Sequence, residues 1–142
     1  MKAKKIWLIL VTLIAMPMMA SACGFGEKTA EGYENTAVKH AYQHWNQGAS
    51  SAVPFVFIDV RTAEEYADSH IKGAKLIPVQ HLATRMAEVP KDKQVYVYCR
   101  SGKRSANASS MLAKAGFTNI ENVVGGINAW KAENYPVVKG ND

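Results

Sequence analysis

A chain of 142 residues, 48% of them hydrophobic, is long enough to fold around one core and too short for two domains of ordinary size. Of its 17 basic residues, Lys2, Lys4 and Lys5 precede an apolar run, and without those three 14 basic residues stand against 12 acidic ones. Binding of nucleic acid needs a concentrated basic face, so this near balance predicts no nucleic-acid partner. Two cysteines, one of them close to the apolar run, exclude a disulfide framework.

Residues 1–22 have the composition of an export signal. Lysines are followed by an apolar stretch over residues 6–15 and then by the small residues Ala20, Ser21 and Ala22. The apolar stretch is shorter than the about 20 residues that a membrane-spanning helix needs, and an uncleaved membrane anchor is the alternative. We therefore predict a signal peptide over residues 1–22 and a mature protein that is periplasmic or attached to the cell envelope.

Cys23 directly follows these small residues, at the position where bacterial lipoproteins carry an acylated cysteine. The segment from Ala20 to Cys23 resembles a lipobox, with Ala20 where leucine is usual. Cys23 is therefore a candidate for lipidation, which would anchor the protein in a membrane; the alternative is ordinary cleavage nearby, which leaves a free thiol. Residues 23–34 are polar and contain glycines, as is typical of a linker, and the folded domain is predicted over residues 35–139.

Helix and strand signals alternate in the first half of the predicted domain. Apolar residues at helical spacing predict a helix over residues 36–47, and a continuous apolar run predicts a buried strand over residues 53–60. Thr62 and Glu65 then have the spacing of a capping box. This spacing predicts a short helix that begins just after Arg61 and ends near residue 68.

The second half repeats the pattern and contains the clearest strand, over residues 94–98, which is rich in β-branched and aromatic residues. An Ala-rich helix is predicted next, over residues 105–115, and Gly116 is placed to end it. The remaining predicted elements are a strand over 75–77, an amphipathic helix carrying Leu82, Met86 and Val89, a strand over 117–124, a short helix over 127–134 and an edge segment over 136–138. This alternation predicts an α/β domain with a central, mainly parallel β-sheet and helices on both faces.

Cys99 lies between the clearest strand and the Ala-rich helix, at the carboxyl end of the strand, where open α/β sheets bind their ligands. The N–H groups of the loop, the amino terminus of the helix and the cations Arg100, Lys103 and Arg104 all favour a thiolate over a thiol. We therefore expect the pKa of Cys99 to lie below that of a free cysteine. Such a thiolate is suited to attack on a small anion.

Two reactions fit a cysteine surrounded by amides and cations, namely phosphoryl transfer and sulfur transfer. Cysteine phosphatases need an arginine six positions after the cysteine to hold the phosphate bidentately. In this chain that position is Ser105, and Arg104 comes one residue too early. The shorter loop favours a smaller transferred group, such as a single sulfur atom. A phosphatase or an arsenate reductase is the less favoured alternative, because Arg104 could still contact an anion.

The segment CRSGKR, from Cys99 to Arg104, resembles the six-residue active loop of the rhodanese family. Three other segments resemble motifs of the same family in the same order along the chain. They are FIDVRTAEEY at residues 57–66, HIKGA at residues 70–74 with Ile77 and Pro78, and GGINAW at residues 125–130. Together they cover about residues 35 to 138, which makes the likeness far more specific than a lone cysteine loop.

This resemblance implies a sulfurtransferase with Cys99 as its nucleophile. Such an enzyme takes sulfane sulfur from a donor such as thiosulfate and passes it to cyanide or a thiol through a persulfide on Cys99, without a cofactor. Substrate-binding candidates are the other loop residues, Arg100, Ser101, Gly102, Lys103 and Arg104. A sulfur carrier or redox partner of another protein, and a binding module, remain open as uses of the same loop.

Other polar residues of these segments have structural interpretations. Asp59 and Arg61, near the end of the first apolar strand, are expected to form a buried hydrogen-bonded pair beside the site. His70 is expected to pack or hydrogen-bond within its loop, and Trp130 to lie in the core. The four histidines, at positions 40, 44, 70 and 81, lack partners at ligand spacing, so no metal site is predicted.

Overall fold

The computed structural model describes residues 26–141 of the chain. The predicted signal peptide over residues 1–22 and the candidate lipidation site at Cys23 lie outside these described residues. No helix within residues 26–141 combines the length and the apolar character needed to cross a membrane.

A six-stranded sheet forms the centre of the fold. Its strands are β1 (Gly26–Lys28), β2 (Glu34–Ala37), β3 (Phe55–Asp59), β4 (Lys75–Leu76), β5 (Gln94–Tyr98) and β6 (Ile120–Val124). Their order across the sheet is β1-β2-β6-β5-β3-β4, and among the strand pairs of residues 26–141 only β1–β2 is antiparallel. The carboxyl ends of five strands therefore meet at one edge of the sheet, where the residues after β5 begin the active loop.

Helices cover both faces of this sheet, as predicted. They are α1 (Val38–Gln47), α2 (Ala63–Asp68), α3 (Leu82–Arg85), α4 (Lys103–Lys114) and α5 (Gly126–Ala132). Residues of α3 and α4 pack into one apolar core with alternate residues of β3 and β5. Residues of α1, α2 and α5 pack into a second core against the opposite face. The α/β architecture predicted from the sequence, with a mainly parallel sheet, is confirmed.

The amino-terminal part of the described chain differs from the predicted linker. Residues 26–28 and 34–37 form β1 and β2, so the sheet already includes part of the segment assigned to a linker, and the expected domain start at residue 35 falls inside β2. Tyr33 is buried in the first core. Because β2 pairs in parallel with β6 through residue 37, α1 begins at Val38 and not at residue 36. β1 is the edge strand and β2 is its neighbour, and both bury few side chains, so they lack the apolar run that marks a central strand.

Several other boundaries also shift. The amphipathic segment over residues 82–89 is a single turn of α-helix followed by a 3₁₀ turn, because the backbone of Arg85 departs from helical geometry at φ −114°. Helix α4 begins at Lys103, two residues earlier than predicted, and β6 begins only at Ile120. Near the carboxyl end, the expected edge segment makes one antiparallel bridge, between Val138 and His70.

Candidate active site

Cys99 is the first residue after β5, and the loop from Arg100 to Gly102 joins it to α4. The preceding strand is flanked by β3 and β6, so its end is held in the middle of the sheet. The Cys99 side chain is nearly enclosed, with 1% of its surface exposed. Arg100, Ser101 and Lys103 are exposed and surround it at the surface. This geometry gives a buried sulfur atom below a rim of polar residues.

Hydrogen bonds from the loop converge on this sulfur. The Gly102 N–H donates to Cys99 Sγ over 3.2 Å, and the Ser105 hydroxyl donates to it over 3.5 Å. Burial raises the pKa of Cys99, but hydrogen bonds from the Ser105 hydroxyl and from the N–H groups of Ser105, Ser101 and Gly102 outweigh it, so the pKa is lowered. The expected direction of the shift is therefore confirmed. Its principal favourable cause is local hydrogen bonding, whereas the sequence also pointed to the charges of three neighbouring cations.

The amino terminus of α5 explains why the loop amides point inward. Its Ile127 N–H donates to the Cys99 carbonyl over 2.9 Å, and its Asn128 N–H donates to the Arg100 carbonyl over 3.1 Å. In a trans peptide the C=O and the following N–H point in opposite directions. Two loop carbonyls held toward α5 therefore turn the N–H groups of Arg100 and Ser101 away from that helix, and the Ser101 N–H is one of those that act on the sulfur.

Two glycines allow this close packing. A side chain on Gly126 would collide with the carbonyl of Cys99 and would come within 2.9 Å of the Arg100 carbonyl. Gly102 has φ +95°, a left-handed conformation that glycine adopts without steric cost, and this conformation aims its N–H at the sulfur. The GGINAW segment thus has a structural role in shaping the loop.

Arg104 makes a bidentate ion pair with Glu65 of α2. Its two terminal nitrogens lie 2.8 and 2.7 Å from the carboxylate oxygens, and this contact holds the pKa of Glu65 at about 2. The pKa of Arg104 is raised, first by Glu65 and to a smaller extent by the nearby Cys99 thiolate. Glu65 also completes the predicted capping box of α2 with Thr62, which is confirmed. Arg104 therefore connects the active loop to α2, and the anion contact expected of it stays a prediction.

Asp59 and Arg61 form the expected buried pair under the site. Arg61 donates to both carboxylate oxygens of Asp59, the shortest contact being 2.6 Å, and to the Ser69 carbonyl over 2.8 Å. Its guanidinium also lies 5.6 Å from the centre of the Tyr98 ring. Because Tyr98 precedes Cys99, the pair supports the strand end from which the loop departs. Neither residue contacts the sulfur in any hydrogen bond of the described structure.

Two other predicted roles are also structural. His70 is buried, and its Nδ1 lies 3.0 Å from the Tyr66 carbonyl while its ring stacks on that of Tyr66. Trp130 is fully buried and donates to the Pro136 carbonyl over 2.8 Å. In contrast, the sequence does not reveal the role of Ser105, which stands only at the position where a phosphatase would have arginine. Its place in the first turn of the helix after the cysteine was the available signal that its hydroxyl could reach the sulfur.

Comparisons with known proteins agree with this geometry. Residues 38–133 match the family model of the rhodanese-like domain. A sulfurtransferase of Allochromatium vinosum is 40% identical over 83 residues, which are 58% of this chain and 78% of that protein. A thiosulfate sulfurtransferase of Escherichia coli is 40% identical over 71 residues, 49% of this chain and 68% of that one. A Bacillus subtilis protein named as a sulfur carrier is 31% identical over 105 residues, 74% of this chain and 56% of the other.

Solved structures show the same fold. The crystal structure of a rhodanese-related protein from Thermoplasma volcanium superposes with a TM-score of 0.65 at 31% sequence identity. The superposition covers 73% of this chain and 96% of the other. The family model begins at Val38, the first residue of α1, so β1 and β2 lie outside the part of the chain that it matches.

Proposed function

Because this chain belongs to the rhodanese-like domain family, whose sulfurtransferases it resembles over most of its folded part, we propose that it transfers sulfane sulfur from thiosulfate to cyanide or a thiol. Cys99 is the proposed nucleophile. The observation that carries the proposal is the set of hydrogen bonds that converge on Cys99 Sγ and lower its pKa despite burial. Without such donors, burial would raise the pKa of the thiol and make it unreactive.

The first half-reaction forms a persulfide. The Cys99 thiolate attacks the outer sulfur of thiosulfate, a new S–S bond forms, and the original S–S bond breaks as its electron pair departs with sulfite. The outer sulfur then carries a negative charge close to the loop. The N–H groups of Ser101 and Gly102 and the Ser105 hydroxyl are donors already oriented toward this region, so they stabilise the charge without rearranging.

The second half-reaction returns the enzyme to its starting state. Cyanide, or a thiolate, attacks the terminal sulfur of the persulfide, and the electron pair of the breaking S–S bond returns to Cys99. The products are thiocyanate, or an acceptor persulfide, and the original thiolate. Donor and acceptor react in turn at one sulfur, so ping-pong kinetics are expected.

The exposed cations of the rim have a separate proposed role. Arg100 and Lys103 lie at the surface on either side of the glycine turn, where they can attract a dianion toward the loop. Ser101 and Gly102 contribute their backbone N–H groups, while Arg104 contributes charge near the sulfur from its position against Glu65. This division predicts that the rim cations affect the capture of thiosulfate more than the chemical step.

The test is a thiosulfate-to-cyanide assay on the purified protein, together with mass spectrometry of the intact chain after exposure to thiosulfate alone. We expect thiocyanate formation and a mass increase of one sulfur atom, both of which Cys99→Ser abolishes. A generic phosphatase substrate is the control for the alternative reaction. Thiocyanate formation that survives in Cys99→Ser, or hydrolysis of the phosphatase substrate in place of sulfur transfer, would overturn the proposal.

Sulfur carriage is a second candidate that uses the same persulfide. It is favoured by the similarity to the Bacillus subtilis protein named as a sulfur carrier and by an exposed apolar residue, Val124, that borders Gly102 of the loop. A carrier would hand its sulfur to another protein. We expect a carrier to form the Cys99 persulfide stoichiometrically with thiosulfate yet to release thiocyanate slowly, so single-turnover and steady-state rates distinguish the two uses.

A further inference from the structure

A cavity lies at the edge of the sheet opposite to Cys99, where the parallel strands begin. Its volume is about 500 Å³. It is lined by one face of α1, by residues 51–53 and by residues near the amino ends of β2, β5 and β6. Lining residues include Glu34, His40, His44, Gln94, Tyr96 and Glu121. None of them belongs to the active loop.

Glu121 gives this cavity a defined chemistry. It is the second residue of β6, its side chain is only 9% exposed, and its Oε2 atom accepts no hydrogen bond within the described structure. Burial and the nearby Glu34 raise the pKa of Glu121, whereas the Thr36 hydroxyl and His44 lower it. The Thr36 hydroxyl makes no full hydrogen bond within the described structure. A buried acceptor without a donor is costly, so its donor is expected to come from outside the protein, from a ligand, an ion or water.

The charges around Glu121 indicate what that donor should be. Glu34 also lines the cavity, and none of its lining residues within 26–141 is a lysine or an arginine. A second, smaller cavity of about 180 Å³ shares Glu34, Gln94 and Glu121 with the first and is also lined by Lys28, which lies opposite Glu34 in the β1–β2 pair. Two carboxyl groups without a lysine or arginine in the described lining of the larger cavity favour a ligand that is positively charged and donates hydrogen bonds.

The histidines of the cavity are not arranged to hold a metal ion. His44 Nδ1 lies 2.8 Å from the Tyr96 hydroxyl, and its Nε2 lies 2.5 Å from the Ser51 hydroxyl and 3.0 Å from the Val53 carbonyl. Both ring nitrogens are therefore engaged. Within residues 26–141, no three His, Cys, Asp or Glu side chains are grouped so as to bind a metal.

We propose that this cavity binds a small organic molecule with a primary ammonium group. The ammonium donates a hydrogen bond to Glu121 Oε2, and the charges of Glu121 and Glu34 offset its own. The carbon skeleton lies against the Tyr96 ring and Val53, and the side-chain amides of Gln43, Gln47 and Gln94 are available to polar substituents. A volume of about 500 Å³ is within the range of small-molecule sites.

The test follows binding by ¹H–¹⁵N NMR of the full chain, with 1,4-diaminobutane as the probe and butane-1,4-diol as its uncharged counterpart. We expect saturable shifts of the amides around Glu34, Tyr96 and Glu121 with the diamine and none with the diol. The active loop over residues 99–104 should not shift. This readout is independent of sulfur transfer, so it stands or falls separately from the proposed function.

Two variants complete the test. Glu121→Gln keeps the shape of the side chain and removes its charge, and it should weaken diamine binding by about tenfold or more, as expected for the loss of a hydrogen bond to a charged group. Glu34→Gln, at a half-buried position, should also weaken it and serves if the first variant does not fold. Absence of shifts up to about 10 mM diamine, equal shifts with the diol, or unchanged affinity in the folded variants would overturn the proposal.

Discussion

The protonation state of Cys99 depends on the opposing effects of burial and hydrogen bonding at its Sγ atom. Enclosure raises the pKa of the thiol, because a charge is less stable away from water. The Ser105 hydroxyl is the largest of the contributions that lower it, ahead of the N–H groups of Ser105, Ser101 and Gly102. A side chain in the first turn of α4 thus makes the largest favourable contribution to the thiolate.

The first prediction concerns Ser105→Ala. Loss of the hydroxyl raises the pKa of Cys99, so less thiolate is present at neutral pH, and alkylation by iodoacetamide at pH 7 should slow by about threefold to tenfold. The rate should recover as the pH is raised, because deprotonation then no longer depends on the hydrogen bond. Ser109→Ala is the matched control, since Ser109 lies on the same helix, equally buried, with no hydrogen-bond partner for its hydroxyl. Equal rates in wild type and Ser105→Ala would contradict this account.

At the scale of elements, the active loop is held by the packing of α5 against it. The sequence of residues 125–130 resembles a family motif, but the resemblance does not indicate what the motif does for the active loop. In the structure, Ile127 and Asn128 hold the loop carbonyls, and Gly126 permits the approach. The requirement for glycine comes from the distance between two backbones, which only the folded chain reveals.

The second prediction therefore concerns Gly126→Ala. The added methyl group would collide with the Cys99 carbonyl, so α5 or the loop must move and the N–H groups lose their alignment with the sulfur. We expect kcat/KM for sulfur transfer to fall by roughly 100-fold, as for other displacements of reacting groups. Gly116→Ala is the control, because Gly116 has a similar left-handed backbone at φ +88° with open space around it. It should lose stability but retain activity; similar losses of activity in both variants would assign the effect to backbone strain alone.

The contact between α2 and α4 supports a third prediction, made with Glu65→Gln and Glu65→Ala. Glutamine retains a capping group for α2 and loses the charge that pairs with Arg104, whereas alanine loses both. We expect Glu65→Ala to cost about 1 kcal/mol more in free energy of unfolding than Glu65→Gln, measured by urea denaturation.

The same ion pair has a predictable pH dependence. The pKa of Glu65 falls from its usual 4.5 to about 2 on folding, so its contribution is complete above about pH 4.5 and is lost as the pH falls toward 2. The stability difference between wild type and Glu65→Gln should shrink over that range. A difference that stays constant from pH 6 to the acid limit of folding would show that the ion pair does not stabilise the protein.

Some helices and strands could be predicted from the sequence and others could not. Strands β3 and β5 are buried on both faces, so their runs of apolar residues identify them, and the Thr62–Glu65 spacing located α2 correctly. Strand β2, with the sequence ENTA, buries only Thr36, and its pairing with β6 depends on residues more than 80 positions away. Long-range pairing of this kind leaves no local periodicity to detect.

At the scale of the whole molecule, the sheet keeps two sites apart. Cys99 follows the last residue of β5, whereas Gln94 begins the strand and lines the cavity that contains Glu121. Five residues of strand span about 13 Å, and the strand itself is buried between two cores. Sulfur transfer at one edge and binding of an ammonium ligand at the other therefore need share no side chain. Charge variants at Glu121 are expected to leave the reactivity of Cys99 unchanged.

We also propose, from the sequence around Cys23, that the whole chain is attached to the cell envelope. We predict that metabolic labelling with palmitate marks the wild-type chain in a bacterial host and that Cys23→Ala abolishes the label. Cys99→Ser is the matched control, because it removes the chain's other cysteine and should keep the label while losing sulfur transfer. Cys23→Ala should keep sulfur transfer, since Cys23 lies before the first strand of the sheet that holds the active loop. Label that persists in Cys23→Ala would exclude acylation at this cysteine and would leave ordinary cleavage of the signal peptide, or its retention as an anchor, as the remaining choices.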